Sequence, residues 1–209
     1  MLKIYHSTGT RGFRVIWACE ELSVPYEIVP VDFSASYRSK PEWRALNPVG
    51  KVPVMTDGDL TMFESGAMMQ YVLDLYGDGR LQPAKSHPDY GLYLQWMWFA
   101  EATFSRPLGE ITNHRREFQP ELAEVVAEMQ GRGTACVNAL DAVLSDRPYL
   151  LGDTLSAADL SNCYVMRGYQ RNVTKDFPTN VQAYFERVTA LPSYERTITA
   201  DAQTAERLK

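Results

Sequence analysis

Asn47-Pro-Val-Gly-Lys51-Val52-Pro53-Val-Met-Thr-Asp57-Gly58-Asp-Leu60-Thr-Met-Phe63-Glu64-Ser65-Gly66 is the stretch on which the fold turns. Val52 to Met55 and Leu60 to Phe63 are short apolar runs on either side of Asp57-Gly58, a strong hairpin signal. Glu64-Ser65 then opens a helical pattern, with Ser65 expected as its N-cap. Met68, Tyr71, Val72 and Leu75 share one face of that helix, and Gly77 and Gly79 end it. Pro53 cannot donate to a ladder, so on residues alone the Val52-Pro53 bond reads as trans at a sheet edge. An exposed strand, an acid and a helix N-terminus in succession suit a small peptide gripped by its backbone and its charged ends.

Upstream, Leu2 and Ile4 alternate with Lys3 and Tyr5 as in a half-buried strand. Val15, Ala18, Cys19 and Leu22 recur at helical spacing, and Tyr26 to Val31 returns to strand, with Pro30 near an edge. Residues 35–46 read as irregular or as a short helix. The order is βαβ followed by ββα, which is that of the thioredoxin-like fold.

Residues 78–88 read as a linker, with Gly79, Pro83 and Pro88. Beyond it no segment reads convincingly as strand. Residues 90–104 form an aromatic helical pattern, residues 121–144 a long helix weakened by Gly131 and Gly133, and residues 178–191 an amphipathic segment. Ser156-Ala-Ala-Asp159, flanked by Leu155 and Leu160, fits a capping box with a hydrophobic staple. The expected domains are 1–80, α/β and thioredoxin-like, and 88–209, all helical.

Bulk properties narrow the function. The 209 residues suffice for two small cores, and 45% hydrophobic with 22% charged residues is ordinary for a globular protein. A net charge of −5 gives no electrostatic reason to expect nucleic acid. No apolar run approaches the roughly 20 residues that cross a bilayer. Met1 to His6 reads as a strand and not as a signal peptide, so a cytoplasmic location is expected. Cys19, Cys136 and Cys163 are scattered, as are His6, His87 and His114, and no metal-ligand spacing joins them.

The opening Ser7-Thr8-Gly9-Thr10-Arg11-Gly12-Phe13-Arg14-Val15, with Glu20-Glu21-Leu22 after it, resembles the Ser-Arg-x-Phe-Arg-Val…Glu-Glu-Leu start of bacterial and fungal glutathione S-transferases. The segment from Asn47 to Gly66 resembles their glutathione-binding segment, and the cap at Ser156 resembles one in their helical domain. Likeness extends over nearly the whole chain. It implies a glutathione S-transferase fold and a cis Val52-Pro53 bond. Glutathione would be the cosubstrate, with no metal, and a homodimer would form.

The resemblance also distributes roles. Thr10 stands where the family usually has serine, and its hydroxyl would face the glutathione sulfur; Ser7 and Thr8 compete for that role, and Tyr5 less so. Val52 would pair its backbone with the peptide next to Pro53. Ser65 with the Gly66 N–H would take the γ-glutamyl carboxylate and Glu64 the amine, while Arg38 and Lys51 would meet the glycyl carboxylate. A free thiol with a pKa near 8.5 is about 3% thiolate at pH 7, and lowering it by roughly two units requires about 2.7 kcal/mol of differential stabilisation. One hydroxyl and a helix N-terminus suffice for that.

A small apolar electrophile would lie against the aromatic helix that includes Trp96, Phe99 and Phe104, with Glu101 reaching towards a neighbouring subunit's glutathione. Such a stripe is more often core or dimer contact than ligand pocket. Specificity would draw on residues 197–209. Two other activities fit the same features: glutathione-dependent reduction of disulfides or peroxides, and a regulatory module that binds glutathione without turnover. No cysteine lies in the first loop, which weighs against the thiol-transferase branch.

Overall fold

The computed structural model describes residues 1–208, which divide into two compact units, residues 1–80 with 190–208, and Leu81–Thr189. The helical domain expected over 88–209 is therefore drawn differently at its C-terminal end: the last helix belongs with the first unit.

In the first unit the elements run β1 (Leu2–His6), α1 (Gly12–Leu22), β2 (Tyr26–Pro30), α2 (Ala35–Arg38), α3 (Pro41–Leu46), β3 (Val54–Asp57), β4 (Leu60–Phe63) and α4 (Ser65–Tyr76). The sheet order is β2-β1-β3-β4; β1 and β2 are parallel and the other pairs antiparallel. Pro30 ends the edge strand β2, where a missing N–H costs no ladder bond. Leu2, Ile4 and His6 alternate onto one buried face of β1. The final helix of the chain, Pro192–Glu206, packs on α1. There Trp17 donates from Nε1 to the Ser193 hydroxyl at 3.1 Å, and its ring meets Tyr194 at 4.9 Å. A smaller apolar cluster joins Val31, Trp43, Val52 and Val54 beneath Tyr5, Tyr37 and Leu46.

The second unit is helical: α5 (Tyr90–Trp98), a π-helical segment (Phe99–Phe104), α6 (Ser105–Glu117), α7 (Ala123–Val143), α8 (Ala157–Asn172) and α9 (Thr179–Thr189), which makes Pro192–Glu206 α10. The helix expected to end at Phe104 runs on without a gap through the π-helical segment into α6, and Pro107 lies just past that segment. Helix α7 runs unbroken through Gly131 and Gly133. A Cβ on Gly133 would meet Leu108 Cδ2 at 3.2 Å, so this glycine permits close approach of α6 to α7. The capping box of α8 forms: the Ser156 N–H and hydroxyl both donate to Asp159 Oδ2 at 2.8 Å. No helix among the described residues is long and apolar enough to cross a membrane.

Candidate functional site

The loop between β1 and α1 is built on Asp201 of α10. The His6 imidazole, fully buried, donates from Nε2 to Asp201 Oδ1 at 2.7 Å, and the Gly9 N–H donates to the same oxygen at 2.9 Å. The Thr8 hydroxyl donates to the Asp201 carbonyl at 2.8 Å. Gly9 has φ of +75°, a left-handed turn that glycine adopts without strain. Gly12 opens α1 directly beside the histidine, since a Cβ there would lie 2.4 Å from His6 Nδ1.

This accounts for the three candidate hydroxyls. Thr10 donates to the Ser7 carbonyl at 2.7 Å, and its Oγ1 lies 3.3 Å from His6 Nδ1. Thr8 is exposed but engaged with α10, and Ser7 is buried and serves the loop through its carbonyl. Burial pushes the Cys19 thiol up to about 12, which fits a core residue and not a reactive one.

The second cluster sits at the start of α4. The Val52-Pro53 bond is cis. The Val52 N–H and C=O lie outside the sheet register, and no turn or loop bond among the described residues uses them. Ser65 is the first residue of α4 and not its cap: Glu64 occupies the cap with φ of +76° and ψ of +100°. The Ser65 hydroxyl instead accepts from Arg14 Nε at 3.1 Å and Nη2 at 2.8 Å, with both residues buried. A guanidinium thus stands under the positive end of a helix, beside the exposed Glu64 carboxylate. In the sequence Arg14 is only part of the Phe13-Arg14-Val15 motif, with no role of its own. His6 and Asp201 were missed as well, although the inward alternation of Leu2, Ile4 and His6 was available as a signal.

Arg38 is held by its own turn, with Nε donating to the Phe33 carbonyl at 3.0 Å and the guanidinium 4.4 Å from that ring's centroid. Lys51 is exposed; its carbonyl accepts from Asn47 Nδ2 at 2.9 Å. In the second unit Glu101 is half-buried in the π-helical segment. Phe104 lies in the packed interior, against Phe99 and Tyr169, rather than on an open wall. Of residues 197–208, Thr197, Asp201 and Thr204 are buried. No group of histidine, cysteine and carboxylate side chains suited to a metal occurs among the described residues.

A thioredoxin-like sheet followed by a helix, α4, that begins over a buried arginine defines a class that comparison with known proteins specifies further. Residues 1–74 match the glutathione S-transferase N-terminal domain, and residues 112–195 match a glutathione S-transferase C-terminal domain. The chain is 31% identical to the probable glutathione S-transferase GSTF1 of Oryza sativa subsp. japonica, over 90% of both chains. It is 28% identical to glutathione S-transferase F9 of Arabidopsis thaliana, over 95% of this chain and 96% of that one. Among solved structures, a glutathione transferase homologue from Sulfitobacter with bound glutathione is 26% identical, with a TM-score of 0.81 over 94% of this chain and 96% of that one. The chain belongs to the glutathione S-transferase family.

Proposed function

We propose that the protein is a glutathione transferase that binds glutathione in the first unit and adds its sulfur to a small apolar electrophile. The observation that carries this is the start of α4. Arg14 beneath Ser65, the free N–H groups of the helix end and the Glu64 carboxylate together present a positive and a negative patch one residue apart. An α-amino acid end carries a carboxylate and an ammonium on one carbon, and it matches that pair. The Val52 backbone, outside every ladder pair, supports an extended peptide lying alongside it, as an added strand would. Thr10, with Ser7 and Thr8 as the other hydroxyls of the loop, is assigned to the sulfur; Arg38 and Lys51 are assigned to the glycyl end.

The proposed catalysis consists of holding the thiol deprotonated and positioned. Glu101 is assigned to a neighbouring subunit's glutathione, and a homodimer is assigned on the strength of Trp98, 66% exposed on α5. The location proposed is cytoplasmic. Calorimetry with glutathione, followed by product analysis with an activated aryl halide, tests the reading. Heat of binding and a thioether product are expected. No heat at millimolar glutathione overturns it, and glutathione disulfide in place of a conjugate overturns the transferase assignment alone.

A further inference from the structure

The loop that carries Thr10 is joined to a buried histidine and a carboxylate from the far end of the chain. Asp201 Oδ1 lies 2.7 Å from His6 Nε2, and His6 Nδ1 lies 3.3 Å from Thr10 Oγ1. A carboxylate only accepts, so the Nε2 atom carries the hydrogen and Nδ1 of the neutral ring presents a lone pair to the threonine. Carboxylate, imidazole and hydroxyl in that order form the constellation that activates a nucleophile in acyl-transfer enzymes.

We propose that Asp201, His6 and Thr10 form a proton relay that takes the thiol proton of bound glutathione. The proposal rests on the glutathione reading above. The thiol S–H bond breaks, its electron pair stays on sulfur, and its proton goes to Thr10 Oγ1. The hydroxyl's own proton passes to His6 Nδ1. The products are a thiolate facing an intact threonine hydroxyl, and an imidazolium against the Asp201 carboxylate. Nothing is oxidised or reduced. After conjugation the proton returns through Thr10 to the leaving group or to water.

The geometry supports each part. The Thr10 proton, given to the Ser7 carbonyl at 2.7 Å in this structure, reaches Nδ1 by rotation of the O–H alone. The 3.3 Å contact lies just outside the roughly 2.6–3.2 Å reach of a general base, and such contacts often tighten when substrate binds. The His6 ring is fully buried, so Thr10 is its contact towards the loop. Gly12 of α1 lies against the ring and Pro30 of β2 is the register partner of His6, both uncharged, and Asp201 of α10 supplies a charge. Arg196 of α10 pairs with Glu20, and Arg207, just past the end of α10, reaches the Ile28 carbonyl. Asp201 and His6 are positioning residues, since they act on the sulfur only through Thr10.

The test is a pH titration of the glutathione complex, following the ultraviolet absorbance of the bound thiolate. His6→Gln keeps an N–H for Asp201 but removes the acceptor facing Thr10. It should move the thiolate midpoint up by about one pH unit, a tenfold loss of thiolate on the acid side. Asp201→Asn should shift it in the same direction, and Thr10→Val at least as far, while Thr10→Ser restores the wild-type curve. His6→Gln added to Thr10→Val should cause no further shift. Superimposable curves for wild type and His6→Gln, with glutathione still bound, overturn the relay, as do additive shifts in the double variant. A purely structural role would lower thermal stability and raise KM without moving the midpoint. Should His6→Gln fail to fold, Asp201→Asn and Thr10→Val decide the matter alone. Wild-type protein that binds no glutathione overturns the underlying reading first, before any variant is compared.

Discussion

Arg14 donates from two of its nitrogens to the Ser65 hydroxyl, joining the apolar face of α1 to the first residue of α4 inside the protein. Hydrogen bonds to charged groups contribute about 1.5–3 kcal/mol when buried. Ser65→Ala removes this acceptor and the hydroxyl assigned to the ligand carboxylate. It should lower the unfolding free energy by about 2 kcal/mol and weaken glutathione binding at least tenfold. Denaturant titration and calorimetry on the same preparation check both, and an unchanged affinity would remove Ser65 from the binding site.

Glu64 separates stability from function. Its φ of +76° places a side-chain-bearing residue in a region that costs about 1–3 kcal/mol. Glycine relieves that strain but loses about 0.5–1 kcal/mol through the unfolded chain. Glu64→Gly should therefore melt at or slightly above the wild-type temperature while losing glutathione affinity about tenfold, the scale of one charge-assisted contact. A large drop in melting temperature would contradict the strain assignment.

Acid should loosen the hairpin that precedes α4. Asp57 accepts from the Tyr76 and Tyr71 hydroxyls, the latter at 3.0 Å. The Tyr76 bond holds the Asp57 carboxyl below its usual value, and in return the carboxylate pushes the Tyr76 phenol up to about 12. A carboxyl lowered by folding contributes stability above its unfolded pKa and loses it as pH falls through the folded one, here below about pH 4. Because the group is partly open to water, the contribution is small. Asp57→Asn should flatten the stability profile below pH 4 relative to wild type; parallel acid-unfolding curves would refute this.

In the second unit Asp159 accepts from the Leu150 N–H, the Ser156 N–H and hydroxyl, and the Tyr184 hydroxyl. The residue is fully buried. Asp159→Ala strands all four donors and should destabilise the protein by about 3 kcal/mol or more. Loss of soluble protein, or an early transition in denaturant, is the expected readout. A change within 1 kcal/mol would show that water replaces the carboxylate.

Local signals carry the hairpin of the first unit and the start of α8 in the second. Asp57-Gly58 announces the hairpin, and Ser156 with Asp159 announces α8, because turns and caps are set by neighbours in sequence. Ser65 was misplaced by one position because Glu64 takes a backbone conformation its residue type does not suggest. Arg14 was passed over because a charged residue on a helix reads as solvated, whereas here it is only 1% exposed. The last helix was not foreseen at all. Its contacts with Trp17, His6 and Gly9 span more than 170 residues, and nothing local encodes them.

That last helix makes the first unit discontinuous in the chain: its two pieces are separated by the whole helical unit. A ribosome delivers residues in order, so the sheet is made early while Ser193 and Asp201 are still unsynthesised. The loop bearing Thr10 thus emerges without its staple and acquires its final shape only after residue 201 has left the exit tunnel. Nascent chains halted before that residue would hold a thioredoxin-like sheet with an unset first loop, whose final shape is a late acquisition.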